Sequence, residues 1–425
     1  MSNELNHSVI LREDKCIGCT SCLKVCPTEA IRVRDGKAKI ISERCIDCGE
    51  CISICPNHAK SAITDDLSLL KKFKYKIAIP SLTIYGQFPS NIGINQILAS
   101  IKRIGFDEVV EGRLGADISI CLIRDYLFKN TSAKLPMINS NCPAIIRLIQ
   151  IRFPDLIPNI IDIETPIEIT ARITKTNVSK KTGLDIKDIG VFFITPCTAR
   201  VTSIRHPIGI AESYVDGAIS MRDVYGDIVR NLGDNNTSDL GERSKESLLW
   251  PIAGGQAAAL GIENYLEVDG IHHVIKVLEE LELGKLKDVD FIECSACTGG
   301  CIGGPLVIQN PFIAKNRIMK YVRRTDELQC TKEKLNDYIE MYKNGFIRLT
   351  EEILPKPVMM LDKDISKSIQ KLELVTEILK NLPGLDCGIC GSPTCRAFAE
   401  DIVNGENKKA ICMIKTMNGF KTKKI

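Results

Sequence analysis

The sequence predicts an α/β protein with largely parallel sheets, flanked by two small cysteine-rich modules. Three observations carry that expectation. Between about residues 67 and 360, apolar strand-like runs alternate with helical patterns, as parallel strands joined by helical crossovers do. The 425 residues hold 19 cysteines against one Trp and five His, and twelve of those cysteines lie near the two ends of the chain. The charge is balanced, 56 basic against 53 acidic residues for a net +3, which gives no electrostatic case for nucleic acid or an anionic membrane as partner. A chain of this length implies two or three domains, expected at residues 1–66, 67–360 and 361–425.

The N-terminal stretch MSNELNHSVILREDK has no apolar run of signal-peptide length. The longest apolar stretches, such as Ile189 to Ile194, are far too short to span a membrane. A cytoplasmic protein is therefore expected, in which thiols stay reduced and clustered cysteines bind metal rather than form disulfides.

The first module is a repeat. Cys16, Cys19, Cys22 and Cys26-Pro27 read C-x2-C-x2-C-x3-C-P, and Cys45, Cys48, Cys51 and Cys55-Pro56 read the same 29 residues later. Zinc sites pair two C-x2-C halves across a longer gap, and eight cysteines in two such runs do not fit that pattern. The spacing is the bacterial ferredoxin run, in which three cysteines hold one [4Fe–4S] cluster and the fourth ligates the other. One cluster is thus assigned to Cys16, Cys19, Cys22 and Cys55, the second to Cys45, Cys48, Cys51 and Cys26. The fold expected here is α+β and ferredoxin-like.

At the other end, Ile365, Ile369, Leu372, Val375 and Leu379 recur at helical spacing up to the stop signal Pro383-Gly384. Cys387, Cys390, Cys395 and Cys412 follow at C-x2-C-x4-C-x16-C, with TCRAFAEDIV as a helix carrying Cys395 near its positive end. This small helical segment resembles the four-cysteine [4Fe–4S] domain of the Rnf complex B subunit and of corrinoid iron–sulfur proteins. The resemblance implies a third accessory cluster, for electron transfer or sensing.

In the middle, KIAIPS, AIIRLI, GVFFITPC, SLLWPIAGG and VDFIECSAC read as strands or strand ends, and INQILASIKRIG and IHHVIKVLEELELGKL as helices. Ligand sites of such folds lie beyond the carboxyl ends of strands. There the chain places Cys142 in INSNCPAIIRL, Cys197 in FFITPCTAR, and Cys297 and Cys301 in FIECSACTGGCIGGP, four soft ligands from three loops.

These loops, in this order and behind a double ferredoxin module, resemble the catalytic domain of [FeFe] hydrogenases, with its TSCCPxW, MPCxxKxxE and ExMACxxGCxxGG loops. The resemblance covers about 290 residues and implies two parallel-sheet lobes around an H-cluster, a [4Fe–4S] cubane bridged to a diiron centre bearing CO, CN⁻ and an azadithiolate. It implies Cys142, Cys197, Cys297 and Cys301 as the cubane ligands, Cys301 being the bridge.

Departures from the family are equally informative. Asn141 stands where the family has a proton-donating cysteine, and Asn does not titrate. The family's two relay glutamates and serine fall near Ile123, Tyr126 and Ile161; Asp125 and Glu164 lie close by, as surface carboxylates or as stand-ins. Thr195 and Ser295 replace methionines that pack the diiron centre, and Arg200 replaces the lysine that holds a cyanide. Of the remaining cysteines, Cys121 reads as core packing, Cys330 as an exposed helix residue, and Cys294 as a thiol to watch for proton activity. His272-His273 reads as a structural or solvated pair.

A rich electron side beside a depleted proton relay fits slow turnover of H2 ⇌ 2H⁺ + 2e⁻. It resembles the sensory-type [FeFe] hydrogenases, whose expected partners are H2, protons, maturation proteins and a separate redox or signalling protein. Two alternatives stay open: a non-enzymatic iron–sulfur protein lacking the diiron group, and an active enzyme with a rerouted proton path.

Overall fold

The computed structural model describes residues 7–130, 134–233, 244–328, 330–406 and 411–417. The first six residues of the N-terminal stretch read above lie outside the described residues. The chain divides into two compact units, one made of residues 1–63 with 355–425 and one of residues 64–354.

In the terminal unit, β1 (Val9–Leu11) is followed by β2 (Ile31–Arg34), β3 (Lys37–Ile40) and β4 (Lys60–Ala62). β1 pairs antiparallel with β4, Leu11 opposite Lys60, and β2 with β3, Ile31 opposite Ile40. Asp35 and Gly36 both have positive φ in the β2–β3 turn, the geometry that an Asp-Gly hairpin favours. The short helices Ser21–Lys24 and Glu50–Ser53 carry the third cysteine of each repeat.

The C-terminal part adds helix Ile365–Lys380, capped by Asp364, and helix Cys395–Val403, capped by Thr394. Val375, Ile378 and Ala399 form their small core. Of the stripe expected on the first helix, Val375 is buried, while Ile365, Ile369 and Leu372 are exposed. This part joins the ferredoxin hairpin: the Val33 N–H donates to the Gly391 carbonyl at 2.8 Å. A Cβ at Gly391, whose φ is +79°, would lie 2.0 Å from the Val33 oxygen, so only glycine permits this approach. Arg32 Nε donates to both oxygens of Asp401 (2.9 and 2.8 Å), and Arg34 Nη2 and Ser392 Oγ each donate to Oδ2 at 2.6 Å.

The central unit contains two parallel sheets. β5 (Tyr75–Pro80), β6 (Glu108–Val109), β8 (Ile189–Thr195) and β9 (Gly217–Ser220) are ordered β6-β5-β8-β9; β7 (Met137–Ile138), β10 (Tyr265–Asp269) and β11 (Phe291–Ser295) are ordered β10-β11-β7. Every pairing within both sheets is parallel. All seven residues of β8 are buried, as expected for a strand covered on both faces.

Two expected strands are helical. AIIRLI lies in helix Pro143–Arg152, nine of whose ten residues are buried; Pro143 at its first position supplies the preset φ of a helix start. SLLWPIAGG divides between the helix Lys245–Leu249, capped by Ser244, and a turn leading into the helix Gly255–Leu260. A short, buried, isoleucine-rich run carries no periodicity to separate helix from strand.

Candidate cofactor centre

In the terminal unit, one small cavity is lined by Cys16, Cys19, Cys22 and Cys55, and another by Cys26, Cys45, Cys48 and Cys51. Each therefore gathers three cysteines of one repeat and the fourth of the other. Burial pushes the Cys51 thiol up to about 12, against the opposing pull of Lys60 and with added repulsion from Cys26. Buried thiols that push each other up need a cation to hold them as thiolates, which is the charge an iron–sulfur cluster brings. Near the C-terminus, burial raises the Cys390 thiol, and Cys387 and Cys412 raise it further. Cys395 opens its helix, its N–H donating to Asp386 Oδ1 at 2.6 Å.

In the central unit, the loops after β7, β8 and β11 bring Cys142, Cys197, Cys297 and Cys301 to one cavity whose empty space, open mouth included, is about 760 Å³. Cys142 and Cys197 cap the helices Pro143–Arg152 and Thr198–Arg205, so the positive ends of both helices face the thiols. Burial, then Cys142 and Cys197, push the Cys301 thiol up to about 12, while Cys197 is pushed to about 11 by burial and then Cys142. Gly300 has φ +88°, and a Cβ there would lie 2.6 Å from the Ala253 nitrogen; the cysteine loop passes this close to the Pro251 turn only as glycine.

The residues fit a group larger than a cubane. Leu82, Ile167, Phe193 and Trp250 give the cavity apolar walls beyond the cysteines. The Trp250 indole N–H is buried with no hydrogen-bond partner among the described residues, a donor left for something the cavity holds.

The other expected site residues divide. Asn141, Ser295 and Arg200 line the cavity. Arg200 is 7% exposed, and its fork donates from Nη2 to the Asn141 carbonyl at 2.5 Å and from Nη1 to Thr165 Oγ1 at 3.2 Å. Thr195 does not stand on the wall: its hydroxyl accepts the Cys197 N–H at 3.1 Å and braces the loop instead. Of the proposed stand-ins, Asp125 is a partly exposed carboxylate paired with Arg124 and Lys129, whereas Glu164 is 1% exposed.

Cys294 is fully buried in β11, where its N–H donates to Asn139 Oδ1 at 2.7 Å, and burial raises its thiol strongly. Cys121 is core, as expected, but Cys330 is not on a helix: it is half-buried and hydrogen-bonded to Cys121. His273 Nδ1 lies 3.0 Å from the Asp269 carbonyl at an exposed position, a structural contact.

Ser81, Gly112 and Trp250 also line the cavity, and none was singled out in the sequence. Ser81 directly follows β5, so the strand-end rule reaches it. Glu293 accepts the N–H groups of Gly254 and Ala257 at 3.0 and 2.9 Å and is pushed up to about 7 by burial, fixing the turn beside Trp250.

Comparison with known proteins follows the same division of the chain. The family "Iron only hydrogenase large subunit, C-terminal domain" matches residues 77–305, a 4Fe-4S dicluster domain matches residues 8–56, and an Fe-S cluster family matches residues 382–414. The periplasmic [Fe] hydrogenase large subunit of Nitratidesulfovibrio vulgaris is 26% identical over 378 residues, covering 73% of this chain and 89% of that protein. Iron hydrogenase 1 of Clostridium pasteurianum is 23% identical over 307 residues, covering 59% of this chain and 53% of that one. A solved structure of a variant of the [FeFe]-hydrogenase HydA1 from Chlamydomonas reinhardtii covers 67% of this chain and 95% of its own, with a TM-score of 0.50 at 16% identity, a likeness of fold. The first family spans more than half of the sequence, including both parallel sheets' cysteine loops, and the chain belongs to the iron-only hydrogenase large-subunit family.

Proposed function

We propose that this protein binds an H-cluster in the central cavity and three accessory [4Fe–4S] clusters in the terminal unit. In this reading it interconverts H2 with two protons and two electrons slowly, as a hydrogen or redox sensor. The observation that carries this is the convergence of Cys142, Cys197, Cys297 and Cys301 on a cavity with apolar room to spare and a buried guanidinium on its wall. The bound group would supply the metal at which H2 is split and formed.

The chain's own residues do the rest. Cys142, Cys197, Cys297 and Cys301 would hold the iron–sulfur part of the group as thiolates. Arg200 keeps a fixed positive charge at the wall, tethered to Thr165 and to the Asn141 carbonyl, and its planar fork suits a cyanide ligand. Leu82, Phe193 and Trp250 exclude bulk water. Asn141 holds a hydrogen-bonding position without a proton to give, which is what makes turnover slow. Electrons pass through the cysteine cages of the terminal unit to a separate redox or signalling partner. A cytoplasmic location and dependence on hydrogenase maturation proteins belong to the same reading. Among the described residues no helix is long and apolar enough to cross a membrane.

The test is infrared spectroscopy of the protein matured with a synthetic diiron cofactor. CO and CN⁻ stretches that shift under H2, with slow gas turnover, are the expected result. Fast turnover would replace the sensor with an enzyme, and a full iron complement without bands would leave an iron–sulfur protein with no hydrogen chemistry.

A further inference from the structure

Behind the Arg200 wall lies a second cavity, about 500 Å³ of empty space with its mouth included. It shares Arg200 and Pro143 with the cofactor cavity and reaches the half-buried Leu349 and Ile353 at its outer side. Glu164 lines it. One carboxylate oxygen of Glu164 accepts from Arg172 Nη2 at 2.6 Å; the other, Oε2, is buried with no hydrogen-bond partner among the described residues. A carboxylate oxygen left so on the wall of a cavity is an acceptor, or a proton carrier, in waiting.

We propose that Glu164 is the proton-relay group of this protein, exchanging protons through water between the outer cavity and the cofactor cavity at the edge they share at Pro143 and Arg200, with Arg200 charged throughout. The proposal rests on the hydrogenase reading above and deepens it. When H2 is split, two electrons leave toward the iron–sulfur clusters and two protons cross the wall. Each proton is taken up by the free oxygen of Glu164 and released from the Leu349–Ile353 mouth; H2 formation runs the same path inward.

The next residue, Thr165, carries the hydroxyl that accepts from Arg200 Nη1, and Arg200 Nη2 reaches the Asn141 carbonyl. Arg200 thus ties the residue after Glu164 to Asn141, the position where the family keeps its proton donor. The charged groups acting on Glu164 are Arg172 and Glu168 on the helix Pro166–Thr182; Arg200, on the helix Thr198–Arg205, lines the same cavity and acts on Glu168. The segment that packs over it offers the Ile347 carbonyl, which accepts the Glu164 N–H at 3.0 Å, while Arg348 there is engaged by Asp162. Glu168 is committed, accepting Ser213 Oγ at 2.7 Å and the Tyr214 N–H at 2.9 Å, and so acts as a positioning residue. Burial outweighs the Arg172 charge and pushes Glu164 up to about 7, which is where a relay exchanges protons in both directions.

Two readouts test this on the full-length protein. In infrared pH titration, a protonated-carboxyl C=O stretch should disappear near neutral pH in the wild type. Glu164→Gln should lose the Glu164 part of that signal and keep the part due to Glu293, whereas Asp125→Asn should keep both. In protein loaded with the diiron group, Glu164→Gln should lower H2 turnover at least tenfold with the CO and CN⁻ bands unshifted, and Glu164→Asp should recover part of the rate. Bands intact with wild-type turnover in Glu164→Gln, or a carboxyl signal in Glu164→Gln identical to that of the wild type, would overturn the relay alone. Absence of CO and CN⁻ bands in every variant, the wild type included, would overturn the hydrogenase reading and the relay with it.

Discussion

The terminal and central units treat buried charge in opposite ways. At Asp401 the terminal unit closes a carboxylate: two arginines of β2 and Ser392 donate to it, and 3% of its side chain is exposed. At Glu164, which lines a cavity, the central unit leaves one buried oxygen with no hydrogen-bond partner among the described residues and puts Arg172 on the other. A closed ion network holds backbone segments at fixed separation, which suits a relay of clusters whose spacing sets electron transfer. A half-closed one can change protonation without breaking the fold, which suits a place where protons pass.

Breaking the closed network should have the larger effect. Asp401→Ala leaves Arg32, itself 5% exposed, without its carboxylate partner, and removing one partner of a buried pair costs about 3–5 kcal/mol. The terminal unit should melt earlier, and the iron of the cluster proposed at Cys387, Cys390, Cys395 and Cys412 should be lost first. Iron at the central site should stay. Differential scanning calorimetry with iron analysis of the as-isolated protein reads both, and equal iron loss from both units would mean that the network does not belong to the terminal unit alone.

The half-closed site predicts a pH dependence instead. Glu164 binds its proton more tightly folded than unfolded, so the folded state carries more protons between the ordinary glutamate value and about 7. Stability is then highest on the acid side of that window and falls as pH rises through it. A shift of this size corresponds to about 3 kcal/mol. Glu293, raised to about 7 as well, adds a slope of the same sign. Glu164→Gln should remove its share, so its denaturant midpoint relative to the wild type should improve from pH 5 to pH 8. A difference that is flat with pH would show the carboxylate to be ionised throughout.

Arg200→Lys probes the wall between the two cavities. A lysine cannot reproduce a fork that reaches both Thr165 Oγ1 and the Asn141 carbonyl. About 1–2 kcal/mol of stability should go with the lost hydrogen bond, and the CN⁻ stretches of the loaded protein should shift relative to wild type. Unshifted CN⁻ bands would detach Arg200 from the cofactor.

The same contrast explains what the sequence could reveal. Cysteine cages follow from spacing: C-x2-C-x2-C-x3-C-P twice over leads to two cavities, each with three cysteines of one run and one of the other. Strand ends lead to Cys197, Cys297 and Cys301, whose strands β8 and β11 read as apolar runs, whereas Cys142 follows the two-residue β7 and precedes a run that reads as a strand and is a helix. The Asp401 network is invisible in the same terms, since Arg32 and Asp401 are 369 residues apart and each alone reads as a surface charge. Glu164 and Asp125 likewise look alike in sequence; only packing makes one a buried group beside a cavity and the other a surface ion pair. Cys330 reads as exposed until the fold sets it beside Cys121. Pairwise burial of polar groups is a property of tertiary structure, and local pattern does not encode it.

Lys60 gives the smallest effect and separates the two cages of the ferredoxin lobe from the rest. It is 3% exposed, sits in β4 opposite Leu11, and its ammonium has no hydrogen-bond partner among the described residues. Its charge pulls down the thiols of both Cys22 and Cys51, one from each cage, so it lies within electrostatic reach of both. A fixed positive charge there favours the reduced form of a cluster in either cage, and at an effective dielectric near 20 a unit charge within roughly 10 Å is worth on the order of 1–2 kcal/mol, about 50–100 mV for one electron. Lys60→Met keeps the aliphatic stem and removes the charge, so the midpoint potentials of both ferredoxin-type clusters should fall by on the order of 50–100 mV while the C-terminal cluster moves far less. Redox titration followed by electron paramagnetic resonance resolves the three. If only one cluster shifts, the ammonium serves a single cage; if all three shift together, it acts through the charge of the whole unit rather than from its place between the two cages.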